Sequence, residues 1–170
     1  MNTSTSIRTV VVDPSILERL VIREVDRPIA LPNEVIVQVA CFSLNRGEVR
    51  RSQNAAAGWR PGWDFAGTIE TAAQDYSEFP VGTRVVGFLP EGAWAEQVAV
   101  PTHAIAALPD SVSFTAAATL PVAGLTALFS LERGGLLLDR SVLITGASGG
   151  ILYNHPMSVA EAQKLLPSLQ

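Results

Sequence analysis

A single cysteine, Cys41, in 170 residues excludes an internal disulfide; the redox compartment stays open, with the cytosol favoured. Only two histidines occur, His103 and His155, far apart in the chain and poor material for a metal site. Basic residues number 12 against 16 acidic ones, with no basic block, so nucleic acid is not an expected partner. No run of about 18 apolar residues is present, so no membrane helix is expected. The polar opening Met1–Thr9 lacks the apolar core of a signal peptide. What is abundant is apolar: 48% of residues are hydrophobic and 16% charged, which argues against disorder. A chain of this length buries roughly two-thirds of its unfolded surface and needs no staple. The expectation is a cytoplasmic globular protein.

Short alternating runs dominate the first two-thirds. Strands are expected at Ile7–Val12, Leu20–Val25, Glu34–Phe42, Phe65–Ala72, Arg84–Phe88, Ala93–Val100 and Ile105–Leu108. In Glu34–Phe42 the alternation puts Val35, Val37, Val39 and Cys41 on one face and Ile36, Gln38, Ala40 and Phe42 on the other. Pro32-Asn33, Pro80-Val81-Gly82 and Pro90-Glu91-Gly92 supply turn chemistry between them. Many short strands between such turns suggest a mainly β barrel or sandwich. After Ser111 the period changes. Ser113 caps an expected helix Phe114–Thr119 that Pro121 would stop. Val122–Glu132 then carries Val122, Leu125, Leu128 and Phe129 on one stripe and ends at Gly134-Gly135. Ser141–Thr145 reads as a strand entering Gly146-Ala147-Ser148-Gly149-Gly150. Asn154-His155-Pro156 breaks the stretch that follows, and Ser158–Glu161 forms a capping box opening a last helix near Gln163–Leu166.

Six pieces then stand in a recognisable order: Glu34–Val39 with Ser43-Leu44-Asn45, Pro61–Gly67, Val81–Val85, Gly92–Glu96, Ala123–Ala127 and Val142–Gly150. Together they resemble the zinc-independent, quinone-oxidoreductase-like branch of the medium-chain dehydrogenase/reductase superfamily. The resemblance implies a GroES-like β-barrel over 1–112. It further implies a helical connection with the first strand and glycine turn of a nucleotide-binding domain over 113–150, and leaves 151–170 as an atypical tail. It also implies NADPH, bound at Gly146, Ala147, Ser148, Gly149 and Gly150. A nucleotide-binding half takes on the order of 100 residues, whereas only 20 follow Gly150, so this one is expected to be truncated. Leu152 stands where the family places a third glycine, and Pro156 interrupts the following helix. Weak or absent NADPH binding is the consequence.

Zinc-dependent relatives carry a cysteine where this chain has Asn45 and a His-Glu pair where it has Trp63-Asp64, so no zinc is expected. By the same resemblance Asn45 sits near nicotinamide and substrate, where an amide polarises an enone or quinone carbonyl. Read as a residue, it closes its own turn at the start of a loop equally well. Asp64, between Trp63 and Phe65, is either a carboxyl raised by desolvation for acid–base work or one satisfied by backbone N–H groups. Trp59, Trp63 and Trp94 either line a pocket for a flat conjugated ligand or complete the barrel core. Arg46, with Arg50 and Arg51, forms the one basic cluster, flanking the cleft or lying on a solvated face. Thr126 completes the expected substrate pocket. The Gly146–Gly150 stretch also fits Gly-x-Ser-x-Gly, but only His155 follows, ahead of Glu161, in the wrong order for a hydrolase triad.

Three functions remain. The first is an NADPH-dependent quinone or enone reductase. The second is a cofactor-free isomerase or cyclase working on a conjugated carbonyl by positioning and polarisation. The third is a non-catalytic binding remnant. In each, the segment 114–132 or the C-terminal helix is expected to cover the apolar cleft beside Asn45, Trp63 and Asp64, from the same chain or from a second copy in a homodimer.

Overall fold

The computed structural model describes residues 5–75, 78–135, 141, 143, 149 and 150, and the backbone of 156–158. The mainly β expectation holds. Strands β1 (Ser6–Val12) and β2 (Leu20–Asp26) form an antiparallel hairpin. Strands β3 (Glu34–Ser43), β4 (Asp64–Thr71), β5 (Arg84–Phe88), β6 (Gln97–Pro101) and β7 (Ile105–Ala107) form an antiparallel sheet in the order β6-β3-β4-β5-β7. A last strand, β8 (Pro156–Ser158), pairs with Cys41–Ser43 of β3. A strand opening at Pro156 agrees with the interruption expected there: a proline is tolerated as the first residue of a strand. The sheet curls, and the hairpin closes against it through a Thr9–Ala95 bridge and the Val10 N–H on the Trp94 carbonyl at 2.9 Å.

The main core gathers Val35, Val37, Val39, Phe42, Phe65, Ile69, Val85 and Trp94. Phe42 therefore lies with the valines, and Cys41 does not. A shift in the β3–β4 register between Val39 and Cys41 inserts one residue into the alternation and turns Phe42 inward. Cys41 instead joins Ala66, Ala117 and Ala118 in a second cluster. These small residues let helix α2 (Phe114–Ala117) lie close against the sheet. Ser113 caps it as expected, its hydroxyl accepting the Ala116 N–H at 3.2 Å.

One local expectation is corrected: Asn45 does not begin a loop; it precedes helix α1 (Arg46–Ser52). Pro121 stops α2 as expected, the helix ending at Ala117, whose carbonyl would need the N–H that a proline lacks. It opens the wide turn Leu120–Gly124, in which the Leu125 N–H reaches back five residues to the Leu120 carbonyl, and α3 (Leu125–Arg133) follows directly. Pro121 is tolerated because the first N–H groups of a helical segment lack intrahelical partners anyway. The expectations for 142, 144–148, 151–155 and 159–170, which include most of the glycine turn and the final helix, fall outside the described residues.

Candidate functional site

The end of β3 and the start of β4 meet α1 around two buried carboxylates. Glu48, in the first turn of α1, is fully buried. One of its oxygens accepts the Asn45 N–H at 2.6 Å, the reciprocal half of a capping box, and the other accepts the Trp63 N–H at 2.6 Å. Asp64, the first residue of β4, is equally buried. Its Oδ2 accepts Nδ2–H of Asn45 at 2.9 Å and the Ser43 hydroxyl, and its Oδ1 accepts the Val122 N–H at 2.9 Å. Each carboxylate thus ties a distant backbone segment to the sheet.

Burial pushes the Glu48 carboxyl up to about 8, against the bonds from Asn45 and Trp63, and the neighbouring Asp64 charge adds to the rise. Asp64 is also raised, again chiefly by burial, against its bonds from Ser43, Asn45 and Val122. The sequence context suggested this direction for Asp64. It gave no hint that Glu48 is the neighbour.

The two pinned segments are walls of one cavity. It is an open cleft of about 860 Å³, lined by Trp63, Phe88, Leu89 and Pro90 on the strand side and by Pro121, Val122, Leu125, Thr126 and Phe129 from the helical segment. Pro101, His103 and Ala104 complete it. Segment 114–132 therefore does supply a wall from the same chain. Trp63 lies over Gly47, where a Cβ would come within 2.7 Å of the indole and would have to push it aside.

The structure brings Asn45 and Asp64 together, and places Trp63 and Thr126 on the cavity. The amide hydrogens of Asn45 are directed at Ser43 Oγ, at 3.2 Å, and at Asp64, away from any ligand carbonyl. Trp94 lies in the core, stacked on Phe42 at 5.8 Å with its indole N–H on the Ser43 carbonyl, so it does not line the pocket. Trp59 is elsewhere too, donating to Glu91 at 2.7 Å beneath the Arg51 guanidinium. Arg46 and Arg50 border a separate polar groove on α1. Glu48 is the residue that sequence reasoning missed; the Asn45-x-x-Glu48 spacing is a capping signature that could have found it.

Among the described residues no three His, Cys, Asp or Glu side chains converge as metal ligands. Of the expected NADPH-binding stretch, Gly149 and Gly150 are described, and both are exposed. A dinucleotide turn needs glycine where backbone or phosphate presses close. At Gly150 an added Cβ would meet nothing within 4 Å, and Gly146, Ala147 and Ser148 lie outside the described residues. Calorimetric titration of the 170-residue chain with NADPH is expected to give a dissociation constant no tighter than about 1 mM. A low-micromolar value would show that a cradle forms.

No described helix is long and apolar enough to cross a membrane. Residues 31–110 match the family model of the alcohol dehydrogenase GroES-like domain. The chain is 39% identical over 124 residues to the trans-enoyl reductase opdC of Penicillium oxalicum, covering 64% of this chain and 34% of that protein. The human synaptic vesicle membrane protein VAT-1 homolog-like structure superposes with a TM-score of 0.73 at 27% identity, covering 78% of this chain and 45% of that one. A quinone oxidoreductase of Pseudomonas syringae superposes with a TM-score of 0.72 at 26% identity, covering 86% and 47%. The chain thus spans between a third and a half of the length of these relatives.

Proposed function

The chain belongs to the medium-chain dehydrogenase/reductase superfamily, and from that premise we propose that it binds a conjugated carbonyl compound, a quinone or an enoyl derivative, as the substrate domain of a reductase. One observation carries this reading: an apolar cavity whose two walls, Trp63 and Val122, are each held by a buried carboxylate. Such a cleft suits a flat, conjugated body, stacked on the indole and in contact with Pro121, Leu125 and Phe129. Asn45, Glu48 and Asp64 act in this reading as positioning residues. They fix the distance between the walls, and fixed walls lower the ordering cost of binding. Hydride transfer would need a nucleotide held at Gly146–Gly150, a stretch of which Gly149 and Gly150 are described.

The test is a titration with benzylideneacetone, a flat enone, followed by amide and indole resonances. Saturable shifts are expected at Trp63 and Val122. Asp64→Ala, which leaves the Val122 N–H without its acceptor, should weaken binding about tenfold or more, the equivalent of about 1.4 kcal/mol. Absence of saturable shifts at both residues in the wild-type chain would sink the proposal.

A further inference from the structure

Among the cavity's apolar side chains stands one imidazole. His103 occupies the three-residue turn Thr102–Ala104 between β6 and β7, and it lines the same cavity as Trp63, Phe88, Leu125 and Phe129. Its place is set by the backbone. Pro101 enters the turn in extended conformation, the Thr102 N–H bonds the Asn33 carbonyl at 3.1 Å, and Ile105 leads straight into β7.

The cavity offers few hydrogen-bonding side chains. The Trp63 indole can only donate, and the Thr126 hydroxyl sits on α3, where helix carbonyls compete for it. The His103 ring makes no hydrogen bond to another described residue. The ring is exposed, so it is open to solvent and free to turn an N–H towards an occupant. A wholly apolar occupant offers that N–H nothing, whereas an occupant bearing an oxygen acceptor adds a hydrogen bond.

We propose that His103 is the specificity-determining residue of this cavity: a ring N–H donates to the carbonyl oxygen of the bound ligand and selects conjugated carbonyl compounds over hydrocarbons of the same shape. This rests on the reading of the cavity as a conjugated-carbonyl site and names the group that recognises the oxygen. It also orients the ligand, with the oxygen toward the β6–β7 turn and the apolar body toward Trp63 and α3. The chemistry is a hydrogen bond only, with no proton transferred.

The experiment compares two probes of nearly equal shape, benzylideneacetone and trans-1-phenyl-1-butene, which has an ethyl group in place of the acetyl. Only two histidines exist, so His103→Phe assigns the His103 Cε1–H resonance at once. The Trp63 indole N–H reports occupancy, and His103 Cε1–H reports the bond. In the wild-type chain the ketone should move both resonances and the hydrocarbon mainly that of Trp63. His103→Phe should lose three- to tenfold in affinity for the ketone and nothing for the hydrocarbon, while His103→Gln, which keeps a donor, should recover part of the loss. Unchanged ketone affinity in His103→Phe would overturn this inference and leave the cavity reading standing. A Trp63 resonance that responds to neither probe would overturn both.

Discussion

The midpoint of urea unfolding of the wild-type chain is expected to fall as the pH rises from about 5 to 8, and Glu48→Gln should lose most of that slope. The cause is the burial that raises the Glu48 carboxyl from 4.5 to about 8 in the folded chain. For an acid raised on folding, the native state holds its proton after the unfolded chain has released it. The stability linked to Glu48 is therefore complete below about 4.5 and is lost progressively as the pH climbs towards 8. A shift of that size corresponds to at most about 5 kcal/mol. Asp64, raised in the same direction, leaves a smaller slope of the same sign in the variant. Glu96 does not oppose this in the same window. Burial would raise its carboxyl, but its bonds to Arg8 outweigh that and hold it low, so its contribution changes only in acid. Unfolding curves at three pH values in both proteins decide the matter. Equal slopes, or a wild-type chain more stable at pH 8 than at pH 5, would refute the assignment.

That Glu48 had to be found in the structure shows where sequence reasoning stops. Strands were legible because Val and Ile alternate with polar residues between Pro and Gly turns; β5 falls on the expected residues, and several others differ by a residue or two at an end. The inversion of Cys41 and Phe42 was not legible. It depends on a bulge beside the close approach of Gly67 to the Gln38 carbonyl, a contact between distant residues. Helix α1 was hidden for another reason: seven residues with a glycine and three arginines carry little apolar periodicity. Trp63, Asp64 and Thr126 could be singled out by type and motif. Their arrangement could not, because Asp64 meets Val122 across 58 positions of sequence. The expected role of Asn45 as a free amide donor depended on where its hydrogens point, which only the neighbours Ser43 and Asp64 determine.

Gly62→Ala is expected to destabilise the chain by about 4 kcal/mol or more and to abolish binding at the cavity, whereas Gly82→Ala should cost about 1–2 kcal/mol and leave binding intact. Both glycines have positive φ, +114° and +89°, so both substitutions carry the penalty of a side chain in that region. They differ in what surrounds them. A Cβ at Gly82 would meet nothing within 4 Å, but one at Gly62 would lie 2.2 Å from the Trp94 backbone nitrogen and 2.6 Å from that of Ala93. Neither atom is the end of a flexible side chain, so relief requires moving the backbone itself. The Ala93 N–H bonds the Gly62 carbonyl at 3.1 Å and the Trp94 N–H bonds the Pro61 carbonyl at 3.2 Å, and both bonds hold the loop against the core. Trp63 and Asp64 come next in the chain, so separating that contact displaces a cavity wall and a buried carboxylate together. Denaturant midpoints give the stability difference between the two variants, and the Trp63 resonance gives the binding. Equal losses in the two would mean that positive φ alone sets the cost. A Gly62→Ala chain that still binds the enone normally would mean that the loop moves without carrying the site with it.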